Sequence, residues 1–158
     1  MDISRHQRRI YLVQAIFLWE SMKDRNVELD GEKVLKYIWE SVGDASYEVN
    51  ITDFDRERFL GMIDMLDEIR EMIIRCAPGW PLEKIASHDR AVLYLGIYEL
   101  NFTDVPTAVV INESVELAKE FGGDRSSQFI NGVLSTITKE KQLRVAIGSE
   151  VALARGES

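Results

Sequence analysis

Apolar residues recur along this chain at intervals of three and four positions, which is the spacing of one buried face of an α-helix. No segment shows the competing alternation of apolar and polar residues that is typical of a half-buried strand. Only three prolines and ten glycines interrupt the helical pattern. The sequence therefore predicts an all-α protein.

The periodic segments predict six helices and one short turn. Their approximate ranges are 4–22, 32–42, 53–76, 88–101, 106–122 and 124–138, and the short turn covers 82–86. The N-caps expected from side-chain oxygens near the helix starts are Ser4, Ser87 and Asp124. Ile10, Val13 and Phe17 are expected to share the buried face of the first helix. The segment 88–101 is apolar on most sides, which predicts a central position in the bundle.

The sequence Pro78-Gly79-Trp80-Pro81 is the strongest interruption of the helical pattern, because proline cannot continue a helix. We expect one domain over residues 1–140, with subdomains at about 1–77 and 80–140 that contain three helices each, or three and four. Beyond Thr138 the periodicity weakens. Residues 141–158 are therefore expected to form a tail, either a frayed helix or disordered.

Charge restricts how this chain can bind nucleic acid. The formal net charge of −8 argues against binding through a generally basic surface, so any RNA site has to be local. The segment 27–75 is strongly acidic, whereas Arg5, Arg8 and Arg9 make the N-terminus basic. This asymmetry indicates a molecule with one basic end, although chance variation on a solvated surface would also produce it.

The sequence lacks the patterns that identify most enzymes and metal proteins. It has one cysteine, Cys76, and two histidines, His6 and His88, with no spacing typical of a zinc site. It also lacks a nucleophile elbow and a glycine-rich phosphate loop. We expect no catalytic activity, metal or cofactor. The apolar run 9–19 is too short to cross a membrane, and the single cysteine suits a reducing cytoplasm.

The cluster Arg5-His6-Gln7-Arg8-Arg9 is a candidate for RNA contact. A guanidinium group offers a fixed fork of donors to phosphate and stacks on unpaired bases. Arginines are also common at solvated N-termini, so the residues alone leave both interpretations open.

Two longer patterns carry a family resemblance. Arg9, Gln14, Ala15, Phe17 and Trp19 follow the basic N-terminus, and Asp89-Arg90-Ala91-Val92-Leu93 and Tyr98-Glu99-Leu100 precede a long match over 105–134. Together they cover about two thirds of the chain, and they resemble the NusB family of transcription antitermination factors. The resemblance implies an all-helical fold of two three-helix subdomains, in agreement with the layout expected from periodicity.

The resemblance also implies a function. Members of this family bind the single-stranded boxA element of nascent rRNA leader transcripts together with the small-subunit ribosomal protein NusE, and they help RNA polymerase to resist termination. A homodimer that covers the basic face is a further possibility. The alternative is a helical protein interaction scaffold with weak or no RNA binding.

Carried onto this sequence, the resemblance implies a set of RNA-binding residues on the first helix and at the start of the last. These are Arg5, His6, Arg8, Arg9, Gln14, Phe17, Arg125, Ser126, Gln128 and Phe129. For both phenylalanines the alternative is core packing. Asp89 is the expected acid for the basic ribosomal protein, and its alternative is a stabilising position at a helix N-terminus. Asn112 and Asn131 also match the family, and we expect them to be buried amides at a helix junction.

Overall fold

The computed structural model describes residues 3–28, 30–43 and 49–156. All regular secondary structure in these ranges is helical, which confirms the predicted all-α class. The α-helices are α1 Arg5–Asp24, α2 Gly31–Val42, α3 Asp53–Asp64, α4 Leu66–Cys76, α5 Ser87–Phe102, α6 Thr107–Gly122 and α7 Asp124–Ala154. A 3₁₀ turn at Leu82–Lys84 follows the proline-rich break.

The centre of the bundle is α5. Residues 91–100 of this helix are all buried, and α5 packs against α1, α3, α4, α6 and α7. A helix surrounded by neighbours needs apolar side chains on most of its sides, which is the pattern of this segment apart from Glu99. The predicted central position is confirmed.

The expected third helix is instead two helices. α3 ends at Asp64 and α4 begins at Leu66, because Met65 has φ −100° and ψ 12°. The Met65 N–H still donates to the Gly61 carbonyl, and Ile69 N–H still donates to Met65, so the apolar periodicity runs through the break. A Cβ at Gly61 would overlap the Tyr98 hydroxyl, so glycine allows α5 to approach closely at this point.

Two of the three expected N-caps are wrong. Ser4 caps α1 as predicted, with its Oγ accepting from Gln7 N–H at 3.0 Å. Ser87 is instead the first residue of α5, and Asp124 is the first residue of α7. The chain passes from α6 to α7 through Gly123 alone, at φ +83°, which glycine adopts without steric cost. This short junction leaves no position before α7 for a capping side chain.

The buried face of α1 also differs from the expected one. Its apolar members are Leu12, Val13, Ala15, Ile16 and Trp19. Ile10 is only partly buried, and Phe17 is 47% exposed. The apolar pattern does not tell which side of α1 meets its neighbours, because Ile10, Val13 and Phe17 have the correct spacing for a face of their own. Asn112 and Asn131 are exposed as well, so their predicted role as buried amides is wrong.

α7 continues well beyond Thr138. The helix runs without a break to Ala154, followed by a turn at Arg155 and Gly156. Glu140 accepts from Arg75 Nε at 2.9 Å, and Lys141 Nζ donates to the Leu100 carbonyl at 2.7 Å. From residue 141 to 156 every residue is exposed except Ala152, which is partly buried. The last two residues of the expected tail lie outside the described ranges, and the division into two subdomains stays a prediction.

Among the residues described, no helix combines the length and the hydropathy required to cross a lipid bilayer.

We expect truncation after Arg144 to change the free energy of unfolding by less than about 0.5 kcal/mol, because nearly all the removed side chains are solvent-exposed. The control is Leu134→Ala, which removes a fully buried side chain and should cost about 2–5 kcal/mol. Chemical denaturation of the three proteins measures both values. A truncated chain as unstable as the Leu134 variant would show that the end of α7 stabilises the fold.

Candidate nucleic-acid interface

Arg9 is not part of the surface. Its side chain forms a bidentate ion pair with Glu99 of α5, with Nε to Oε1 and Nη2 to Oε2 both at 2.7 Å. Both residues are at most 6% exposed. Burial is the largest single influence on the pKa of Arg9 and lowers it, but the hydrogen bonds to Glu99 and the negative charges of Glu99 and Glu113 together outweigh burial, so the net pKa is raised. The pair joins α1 to the central helix, and it withdraws this guanidinium group from the predicted RNA site.

Arg8 is buried in a similar way. Its Nη1 donates to Asp55 Oδ2 at 2.7 Å and to the Asn50 carbonyl at 3.2 Å. The same carboxylate oxygen accepts from the Thr52 N–H at 2.8 Å, as part of the capping box that starts α3. We predicted that Arg8 and Arg9 contact phosphate. The structure corrects this prediction, because both guanidinium groups bind carboxylates inside the protein. The cluster read as basic surface is largely a core ionic network.

Arg5 is the exposed arginine of the N-terminal cluster. Its guanidinium carbon lies 3.9 Å from the ring centroid of Phe54, and that of Arg58 lies 4.4 Å from the same ring. Arg58 also donates to Glu99 at 3.3 Å. Phe54 and Arg58 were missed in the sequence because they lie in the acidic segment. Cation–π contact orients Arg5 at the protein surface.

His6 joins α1 to α6. Nδ1 lies 2.7 Å from Glu113 Oε2, and Nε2 lies 2.7 Å from Glu120 Oε1. The hydrogen bonds to Glu113 and then Glu120 raise the pKa of His6 above its usual 6.5. A protonated imidazolium donates from both nitrogens, which matches two carboxylate partners. His6 remains partly exposed, but both of its polar atoms are already engaged.

Two other predicted residues of α1 are accessible. Gln14 and Phe17 are both exposed, and Phe17 retains 47% of its surface. The core-packing alternative for Phe17 is therefore wrong. An exposed aromatic ring and an exposed amide on one helix offer the groups that contact unpaired bases.

The start of α7 presents a second group of polar side chains. Arg125 and Gln128 are exposed, whereas Ser126 is only 8% exposed and sits against Gly122. The predicted contact of Ser126 with RNA is corrected, because the tight α6–α7 junction encloses its hydroxyl. Phe129 is partly buried and packs edge-to-face on Trp80, with ring centroids 5.7 Å apart. Trp80 was considered in the sequence only as part of a helix-breaking loop.

Asp89 is the predicted acid for a protein partner, and it is buried. The residue is 8% exposed, and its Oδ1 lies 3.6 Å from His88 Nε2, which is beyond hydrogen-bond range. Asp89 is in the first turn of α5, where the helix dipole favours a carboxylate. Asp89 is therefore not the surface acid that we expected, and its role is to stabilise the N-terminus of α5.

The remaining candidates for chemistry are inert or absent among the residues described. The Cys76 thiol donates to Glu140 at 3.3 Å. Burial is the main reason that the pKa of Cys76 is raised to about 11, and this hydrogen bond is the second. Such a thiol is a poor nucleophile near neutral pH. No group of three or more His, Cys, Asp or Glu side chains within the described ranges has a metal-binding arrangement.

The chain matches known proteins over most of its length. A family model described as the NusB family matches residues 6–139. The transcription antitermination protein NusB of Nitratiruptor sp. is 36% identical over 137 residues, which cover 87% of this chain and 93% of that protein.

The chain belongs to the NusB family. A solved structure of T. maritima NusB superposes with a TM-score of 0.74 at 33% identity, covering 89% of this chain and 94% of that one. A NusB solved with NusE and double-stranded RNA superposes with a TM-score of 0.71 at 20% identity, covering 87% of this chain and 99% of that one. The latter likeness concerns the fold.

We expect Arg9→Ala to destabilise the protein by about 3 kcal/mol or more, because Glu99 would lose its bidentate partner inside the bundle and keep only Arg58. The free energy of unfolding from urea denaturation measures this loss. Arg125→Ala is the matched control, since it removes an exposed arginine and should cost less than about 0.5 kcal/mol. Equal stability of the two variants would contradict the structural role of Arg9.

The pair of carboxylates around His6 predicts a pH dependence of stability. Since the folded pKa is raised, the stabilisation by protonated His6 is fully present below pH 6.5 and is lost as pH rises through the folded pKa. Glu113→Gln should flatten this part of the profile of unfolding free energy against pH. Glu116→Gln, on the same helix but paired with Lys119, should leave it unchanged. Identical profiles for the two variants would rule out the His6 contacts as the cause.

Proposed function

We propose that this chain is a transcription antitermination factor that binds single-stranded boxA-type RNA of rRNA leader transcripts together with NusE. Membership of the NusB family is the observation that carries the proposal. The structure of a family member with NusE and double-stranded RNA supports both kinds of partner. Action on nascent transcripts implies a place in the RNA polymerase antitermination complex, in the bacterial cytoplasm. The protein acts by binding and performs no chemical step.

The proposed RNA surface consists of the exposed members of the predicted set. Arg5 and Arg125 contact phosphates, because each presents an accessible guanidinium group. Gln14 and Gln128 read base edges through their amides, and Phe17 stacks on an unpaired base. Arg8 and Arg9 support this surface from inside by holding α1 against α3 and α5.

Electrostatics makes the protein partner necessary for tight binding. The proposed RNA surface has two exposed arginines, Arg5 and Arg125, on a chain of net charge −8. Their phosphate contacts therefore add only a small amount of binding free energy. NusE, as a ribosomal protein of the basic kind, would extend the positive surface and be attracted to the acidic helices. RNA affinity should therefore rise when NusE is present.

A protein interaction scaffold without RNA recognition is the second candidate. The burial of Arg8 and Arg9 favours it, because half of the expected phosphate contacts are withdrawn into the core. In this case the acidic surface binds a basic protein, and the RNA is held by that partner alone. A homodimer that covers the α1 surface would have the same consequence.

We expect Arg5→Ala and Arg125→Ala each to weaken binding of a short single-stranded boxA RNA and to reduce the slope of log affinity against log salt by about 0.7. Arg155→Ala is the charge-matched control, since it lies about 45 Å from Arg125 along α7. Fluorescence anisotropy at several salt concentrations, with NusE present and absent, measures all four proteins.

The two candidate functions predict different outcomes in this titration. An antitermination factor shows losses confined to the Arg5 and Arg125 variants, and tighter binding with NusE. A scaffold gives the same RNA curve for every variant. Identical titrations with and without NusE would count against joint RNA binding.

A further inference from the structure

Trp80 is the tryptophan that this protein exposes. The sequence has three, at positions 19, 39 and 80. Trp19 and Trp39 are 4% and 3% exposed, whereas Trp80 is 54% exposed. Exposing more than half of the largest aromatic side chain forgoes much of the free energy that its burial would supply. The exposed indole face is therefore available to a ligand.

The Trp80 ring is held in place in spite of its exposure. The residue lies in the break between α4 and the 3₁₀ turn, one residue before Pro81 and two after Pro78. The backbone N–H of Trp80 donates to the Ala77 carbonyl at 3.0 Å, which fixes the loop that carries the ring. The indole meets Phe129 of α7 at an interplanar angle of 62°. A ring ordered before binding loses little conformational entropy when a ligand stacks on it.

The surroundings of this aromatic pair favour an unpaired base over an apolar protein segment. Trp80 is flanked in sequence by Gly79 and Pro81, which add no long apolar side chain. Gln128 precedes Phe129, and Arg125 lies one helical turn before it on the same face. A guanidinium one helical turn from an aromatic platform suits the phosphate of a nucleotide whose base stacks there, and the exposed Gln128 amide lies on the same turn of α7. A protein hot spot instead has a rim of packed side chains that excludes water.

We propose that Trp80 is a base-stacking residue of the RNA surface, supported at its edge by Phe129 and continuous with Arg125 and Gln128. The inference rests on the proposed RNA-binding function and extends it from α1 and α7 to the loop between α4 and α5. One unpaired base stacks on the exposed indole face. Phe129, which is partly buried against the hydrophobic core, then acts as a positioning residue that keeps the indole in place.

Affinity for a single-stranded boxA RNA gives the first test. Trp80→Ala should weaken binding about 5- to 150-fold, the range for loss of one stacked base. Trp80→Phe should retain most of the affinity, because a phenyl ring still stacks. Tyr37→Ala is the matched control, since it removes an aromatic ring that is 64% exposed on α2, and it should bind RNA like the wild type. Circular dichroism verifies that each variant is folded.

Intrinsic fluorescence gives a second and independent readout. Because the other two tryptophans are buried, quenching by acrylamide reports mainly on Trp80. Saturating RNA should protect the indole from acrylamide. If NusE alone protects it and RNA does not, Trp80 is a protein contact and the stacking proposal is wrong.

A scan of abasic RNAs identifies the base concerned. One abasic position should weaken binding to the wild type and have no further effect on Trp80→Ala, because base and indole belong to the same contact. Additive losses at every position, or an unchanged affinity of Trp80→Ala, would overturn the stacking proposal while RNA binding itself still stands. Failure of the wild-type protein to bind RNA at all would overturn the proposed function, and the stacking site with it.

Discussion

The ion pair between Arg9 and Glu99 connects the N-terminal helix to the central helix, against which α3, α4, α6 and α7 also pack. Taking two charges out of water is costly, and the bidentate geometry offsets the cost only when both groups are aligned. The pair therefore fixes how α1 lies on α5. Arg8 and Asp55 fix α1 against the start of α3 by the same means. The orientation of Arg5, Gln14 and Phe17 at the surface follows from these two internal contacts.

The helical class, the central position of α5 and the start of α1 at Ser4 were predictable, because periodicity and capping are local properties of the sequence. The break at Met65 was not predictable, because the hydrogen bonds across it keep the apolar residues of α3 and α4 at the spacing of one continuous helix. The misplaced cap at Asp124 has a related cause. Where one helix follows another through a single glycine, tertiary packing decides the boundary, and the preference of a side chain for the cap position is overridden.

The candidate site was harder to predict than the fold, and the reason is physical. Arg5, Arg8 and Arg9 look equivalent in the sequence, yet Asp55 and Glu99 lie 47 and 90 residues away from the arginines they bind. Composition counts a charge without revealing whether a distant carboxylate already neutralises it. Phe17 shows the converse, because an apolar residue at helical spacing proved to be exposed. Exposure and pairing are properties of the packed bundle.

The end of α7 changes the hydrodynamic character of the molecule. Residues 141–154 form a rod of about 20 Å whose sides meet solvent. A body with such a projection tumbles more slowly end over end than about its long axis. Amide vectors along α7 and those in crosswise helices should consequently relax at different rates in NMR, which would report the angle between this rod and the rest of the protein.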